Sequence, residues 1–301
     1  MDNFALIALF VALGILFGRL KAFPPETVQV LNMFALYVSL PAVILLKVPQ
    51  IEFSREALLP IAIAWGALFF SIVLILVTAH LLKWPRSATG VLLLVVPLGN
   101  TSFLGVPIIQ AFFGDAGLRH LIVYDQFGTI LIFATYGSLI LAFYGKEGST
   151  NLQSVARRVF LFPPSLALAA GIALLPGGAY PPLAERLLQT VATTMTPLVM
   201  TAIGFQLKLH LQPTLRSPLC FGLLLKLVLA PAAVLLICRL FGIHGLATDV
   251  SILEAGMPPM VTAGALAVIA GMNSELSAAL IGLGLLLSFG TLPMFFWLTS
   301  F

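Results

Sequence analysis

The sequence predicts an all-α polytopic membrane protein, with ten transmembrane helices in an inverted five-plus-five repeat and the fourth and ninth broken at mid-depth. Three observations carry this. Of 301 residues, 60% are hydrophobic and 9% charged, against roughly 25% charged in a soluble domain. The apolar runs are long, with basic residues scattered singly or in pairs between them. Two of the runs, one in each half, are interrupted by Pro and Gly around small polar residues: PLGNTSFLGVP at 97–107 and EAGMPPMVTAG at 254–264. Irregular backbone at membrane depth is tolerated only where protein or a watery cavity covers it, and matched interruptions in two halves point to a transporter's binding site.

With roughly 17–25 apolar residues per crossing, ten spans fall at about 3–20, 30–48, 57–82, 88–112, 120–144, 159–176, 183–207, 217–240, 247–271 and 276–300. The first is a retained helix, because Arg19 and Lys21 follow its apolar run, whereas a cleaved signal peptide carries its charges ahead. Sorting the basic residues by connection puts Arg19, Lys21, Lys83, Arg86, Lys146, Arg157, Arg158, Lys208 and Arg216 on one side. Lys47, Arg55, Arg119, Arg186 and Arg239 fall on the other, with Lys226 inside a span. The richer side is cytoplasmic, which places both termini outside the plasma membrane. This scatter is an orientation signal and not the basic patch of a nucleic-acid binder. Cys220 and Cys238 share one apolar segment and match no disulfide or metal-ligand spacing.

The polar connection 147–158 divides the chain into repeats 1–146 and 159–301. Five spans per repeat is odd, so two similar halves insert in opposite orientations. Span 2 carries SLPAVI with Pro41, and span 7 carries MTPLVM with Pro197. The middle of each break lies about 61 and 62 residues beyond its proline. Such inverted repeats place a substrate site near the midplane.

Pro97, Pro107, Pro258 and Pro259 each remove an N–H and clash with the preceding turn, freeing backbone groups at the centres of spans 4 and 9. Each break creates a helix N-terminus carrying about half a positive charge, and two such ends together suit an anion. Asn100, Thr101 and Ser102 supply donors and acceptors, while Gly99 and Gly105 admit a ligand to the backbone. In the second break Thr262 is the main polar side chain, next to Met257 and Pro258 and flanked by Gly256 and Gly264. Asn100 and Thr262 either contact a ligand or satisfy the freed groups of their own helices.

The motifs LNMFALYVSLPAVIL, GNTSFLGVPIIQAFFGDAGL followed by YDQFG, TPLVMTAIGFQL, MPPMVTAGALA and the late Leu292-Pro293 resemble those of the auxin efflux carrier family, over essentially the whole chain. The resemblance implies ten helices crossing at the prolines of spans 4 and 9, an architecture like that of sodium/proton antiporters and bile-acid symporters. It implies a scaffold of spans 1, 2, 6 and 7 and a mobile transport domain of spans 3–5 and 8–10, working as an elevator. It also implies export of a small organic anion, a dicarboxylate or an aromatic weak acid, with no cofactor or metal. The family motif falls on Gly99, Asn100, Thr101, Gly105 and Pro107. Bacterial members often show Asn after MPPxV where this chain has Thr262, which shortens the polar reach on that side. Bracing of a fixed scaffold by a homodimer is expected by analogy.

Lys226 lies roughly 14 Å into span 8 at 1.5 Å per residue, near the middle of a roughly 30 Å core. It can neutralise an anion, pair with Glu254 or Asp125, or replace a coupling cation. Glu254, about one and a half turns into span 9, and Asp125, about one turn into span 5, are proton-carrier candidates or interfacial carboxylates, the latter favoured for Asp125. Thr201 and Gln206 are candidate polar groups on the facing scaffold. The nearest alternative function is a sodium-coupled organic-anion symporter of the bile-acid-carrier type. A receptor or channel is another, and no HExxH, GxSxG or Walker motif points to an enzyme.

Overall fold

A computed structural model describes residues 2–24, 26–50, 58–145, 161, 163–174, 180–206 and 215–300. The connection 147–158 expected between the repeats lies outside them, as do Arg55, Lys146, Arg157, Arg158, Lys208 and His210. The described residues are helices and their connections, apart from one isolated backbone pairing of Gly99 with Pro259.

The helices, in chain order, are α1 (Asp2–Phe17), α2 (Thr27–Phe34), α3 (Leu40–Lys47), α4 (Leu59–Leu81), α5 (Arg86–Val95), α6 (Gly105–Val123), α7 (Ser138–Tyr144) and α8 (Pro163–Leu174). They continue with α9 (Pro182–Ala192), α10 (Met195–Gln206), α11 (Arg216–Leu224), α12 (Ala230–Leu240), α13 (Leu246–Ala255), α14 (Val261–Ile269) and α15 (Ser274–Thr299). Among the described residues five helical stretches are long and apolar enough to cross a bilayer: Thr27–Lys47, Leu59–Leu81, Gly105–Tyr144, Arg216–Leu240 and Ser274–Thr299. Of the other expected spans, the first and sixth are helices of 16 and 12 residues, and the fourth, seventh and ninth are in pieces. The protein is thus multi-pass and helical, and a count of ten goes beyond helix length.

Each interruption has a local cause. Pro41 is the second residue of α3, and the π-helical turn Ala35–Ser39 joins it to α2. Widening the helix by one residue just ahead of a proline relieves the clash of its ring with the preceding turn. Pro231 in α12 follows the π turn Leu225–Leu229 in the same way. Span 7 was expected to be continuous over 183–207, but the helix stops at Ala192 and resumes at Met195. Thr193 and Thr194 turn their hydroxyls onto the carbonyls of Thr190 and Val191, competing with the helical ladder, and Pro197 then favours a first-turn position. The stretch Gly105–Tyr144 spans 40 residues, about twice what a bilayer needs. Gly114 divides it at φ 63°, a value that favours glycine.

The chain forms two compact units. The first comprises Met1–Phe53, Ser102–Ile122 and Phe160–Lys208. In it α1 packs along α10, and α3 lies against α8 and α9. Gly14 and Gly204 face each other across the α1–α10 contact. The Ser39 and Thr194 hydroxyls share a 2.7 Å hydrogen bond, and Tyr180 donates to the Leu45 carbonyl at 2.9 Å. The second unit comprises Ser54–Thr101, Val123–Val159 and Leu209–Phe301. In it α13 packs against α4, α12 and α15, while α14 lies on α5 and α15. Trp65 of α4 donates to the Phe127 carbonyl at 3.3 Å, inside the π-helical run Tyr124–Ile130, and Tyr136 donates to the Leu93 carbonyl at 2.9 Å.

A candidate site at the crossing of two broken helices

In the second unit the gap after α5 meets the gap between α13 and α14. The Asn100 amide donates to the Pro258 carbonyl at 2.7 Å and the Met260 amide to the Leu98 carbonyl at 2.9 Å, framing the Gly99–Pro259 pairing. Backbone groups freed by the prolines thus find partners in the other break, as an apolar medium requires. Gly256 ends α13 by donating to the Ile252 and Leu253 carbonyls, and Pro259 packs on α15, where a Cβ on Gly284 would lie 2.6 Å from its ring. Helix α14 starts beyond Met260 with no side-chain cap on its first turn, so its amides keep their partial positive charge at the crossing.

Ionisable groups gather here. Lys226, 3% exposed, lies in the π turn of span 8 and donates to the Pro97 carbonyl at 3.4 Å. A Cβ on Gly99 would lie 3.3 Å from its ammonium and 3.4 Å from the Glu254 carbonyl, so the glycine leaves both within reach of the loop that carries Asn100. Asp125 is 1% exposed: Thr101 donates to its Oδ1 at 2.5 Å and Gln126 to its Oδ2 at 2.7 Å. Glu254 is 0% exposed and neither carboxylate oxygen accepts a hydrogen bond. Asp125, the second residue of the π run Tyr124–Ile130, thus lies inside the second unit with its carboxylate on Thr101. Glu254 is likewise interior, at the penultimate position of α13.

The other candidates divide by unit. Met257 and Pro258 are buried in the second unit, and Thr262 is exposed on the first turn of α14. Ser102, Gly105 and Pro107 fall in the first unit, where the Ser102 carbonyl receives the Val106 amide at 3.4 Å and Gly105 and Pro107 open α6. Pro41, Pro197 and Thr201 also belong there, Thr201 with its carbonyl against Gly14; the Gln206 side chain lies outside the described residues.

Three features went unread. Gln126 stands beside Asp125 with its own Oε1 unpartnered; the YDQFG motif contained it. Gly14 on α1 and Gly18 just past its end form a small-xxx-small pair, a signal for close helix packing in membranes. The first unit also holds a cavity of 330 Å³ whose polar lining includes Lys47, Gln110, Asp115, Gln189, Thr193 and Thr196. Lys47 and Asp115 pair across it at 3.0 Å, with Gln110 donating to the same carboxylate at 3.3 Å.

A multi-pass helical protein whose broken helices cross among buried polar and charged groups is of the membrane-transporter class. A family model described as "Membrane transport protein" matches residues 2–297, and the chain belongs to this family, the auxin efflux carrier family its motifs resemble. An uncharacterized transporter of Methanocaldococcus jannaschii is 28% identical over 273 residues, covering 86% of this chain and 85% of that protein. An uncharacterized transporter of Methanothermobacter thermautotrophicus is 28% identical over 301 residues, covering 96% and 94%.

Proposed function

We propose that the protein is a secondary transporter of small organic anions, an exporter when the anion accumulates inside. The anion is held at the crossing of spans 4 and 9, and spans 3–5 and 8–10 carry it past a scaffold of spans 1, 2, 6 and 7. The observation that carries this is the Lys226 ammonium on Gly99, in the same crossing as Asn100 and the uncapped start of α14. Together they present positive charge and hydrogen-bond donors to one small volume. The elevator reading draws support from the two units: the first gathers spans 1, 2, 6 and 7 with the second half of span 4, the second gathers the rest. The inverted repeat of ten spans draws support from the proline-linked irregularities at Pro41 and Pro197 and from the paired breaks. The reading places a homodimer in a bacterial inner membrane with both termini outside.

The sodium-coupled alternative has one observation in its favour, the unpartnered oxygens of Glu254 and Gln126. Against it, the Lys226 ammonium already acts electrostatically on Glu254 and repels a second cation there. The test is thermal stabilisation of purified protein by malonate, malate, succinate and indole-3-acetate, with and without sodium. Ligand at a hundredfold excess over Kd stabilises by about 2.7 kcal/mol. A sodium-independent shift with at least one anion, lost in Asn100→Ala, is expected. A shift seen only with sodium supports the symporter, and no shift with any anion refutes the anion reading.

A further inference from the structure

We propose that Glu254 takes up one proton for each anion that binds at the crossing, so that anion and proton travel together. This rests on the anion reading above and extends it to the coupling ion.

Asp125, Lys226 and Glu254, the acidic and basic side chains described at the crossing, are not equivalent. Asp125 has a donor on each oxygen, from Thr101 and from Gln126, which suits an ionised carboxylate. Lys226 makes one long bond, to the Pro97 carbonyl, and an ammonium has three donors. Glu254 has no donor on either oxygen and no exposure. A carboxylate in that position is held ionised by nearby positive charge alone, and without it the group neutralises by binding a proton.

Among the described residues the surroundings supply a single such charge. Lys226, Asp125 and Tyr124 act on Glu254 electrostatically. Of the helices packed on α13, α4 carries His80 in its last turn, α12 carries Cys238 and Arg239, and α15 carries Glu275 in its first turn. Gly256 abuts Pro231 of α12, and Pro259 abuts Gly284 of α15. Arg239 and Glu275 are therefore roughly 12–14 Å along their helices from the crossing, at about 1.5 Å per residue.

The charge balance follows. In the empty site Lys226 is positive and Asp125 and Glu254 are negative. An incoming carboxylate takes the unused N–H groups of Lys226 and offsets its field at Glu254. A proton from solvent then bonds to a Glu254 oxygen. For a monoanion the loaded site carries the same charge as the empty one, so one anion and one proton cross together without net charge movement. The membrane potential does not drive such a cycle, and its direction follows the combined anion and proton gradients.

The experiment is calorimetric titration of the purified full-length protein with malonate and with indole-3-acetate near neutral pH, in two buffers of different ionisation enthalpy, with and without sodium. Uptake of one proton per anion is expected, with Kd weakening about tenfold per pH unit once Glu254 is ionised in the free protein. In Glu254→Gln the uptake disappears and Kd becomes independent of pH, whereas Asp125→Asn keeps the uptake. Wild-type binding without proton uptake overturns the proposal with no variant needed. Uptake that persists in Glu254→Gln, or that sodium replaces at fixed pH, overturns it as well. In each of those cases the anion reading stands. Absence of binding by every anion overturns that reading and this proposal with it.

Discussion

Replacing Gly14 with alanine tests whether the α1–α10 contact is as close as two facing glycines allow. The added methyl carbon would lie 2.8 Å from the Phe205 amide nitrogen and 2.9 Å from Gly204 Cα, where ordinary contact begins near 3.4 Å, and closer still to the Thr201 carbonyl oxygen. All three are backbone atoms inside a helix, so no side chain can swing aside. The helices must part by more than 0.6 Å, loosening a contact made mainly of dispersion. Overpacking of this kind costs about 1–3 kcal/mol. At roughly 2–4 °C per kcal/mol for domains of 150–250 residues, the midpoint should fall by roughly 2–12 °C. The assay is thermal unfolding of detergent-solubilised protein followed by tryptophan fluorescence, with Gly66→Ala as control. Gly66 has nothing within 4 Å of its Cβ position, so that change should be neutral or gain about 0.5–1 kcal/mol from reduced chain entropy. Equal midpoints for Gly14→Ala and Gly66→Ala would refute the close approach.

Thr101→Val should cost about 1.5–3 kcal/mol, the worth of a hydrogen bond to a charged group, because it removes the donor from Asp125 Oδ1; Thr101→Ser should recover most of it. Valine and serine variants of equal stability would show that the bond carries no weight. For Lys47 and Asp115, a double-mutant cycle with Lys47→Met and Asp115→Asn should give a coupling of about 1 kcal/mol or less, weakening in high salt. The reason is that the Asp115 side chain is 61% exposed and that of Lys47 11%; a salt-independent coupling would contradict it.

The two central breaks were legible because Pro and Gly act locally. A missing N–H at 97, 258 and 259 disfavours a continued helix there; the expected gap at 254–264 contains the non-helical stretch between α13 and α14, and that at 97–107 overlaps the stretch between α5 and α6, Pro107 itself falling in the first turn of α6. The stop at Thr193–Thr194 was less legible, since threonine bonds back to its own helix as readily as it breaks one, and the outcome depends on partners such as Ser39, 155 residues away. The partner of Asp125 was hidden for a related reason: Thr101 lies 24 residues away, and an inserted π turn changes the face a residue presents without changing its position in the sequence. The Gly14–Gly204 contact was written as Gly-x-x-x-Gly in the first span, but its partner helix lies almost two hundred residues on, and pairing is not a local property. The charge balance of the crossing lay beyond the sequence altogether: Lys226, Asp125 and Glu254 come from three segments, and donors on both oxygens set the carboxylate of Asp125 apart from that of Glu254.

The pairing of Gly99 with Pro259 has a consequence for how such a protein diversifies. The two breaks are fastened by main-chain groups, Asn100 to Pro258 and Met260 to Leu98, so the knot does not depend on which side chains hang from those positions. Thr262, exposed on the first turn of α14, is free to be exchanged without undoing the crossing. If the crossing holds the anion as proposed, one backbone device can be re-lettered for cargo of different shape and charge while the fold that carries it stays the same.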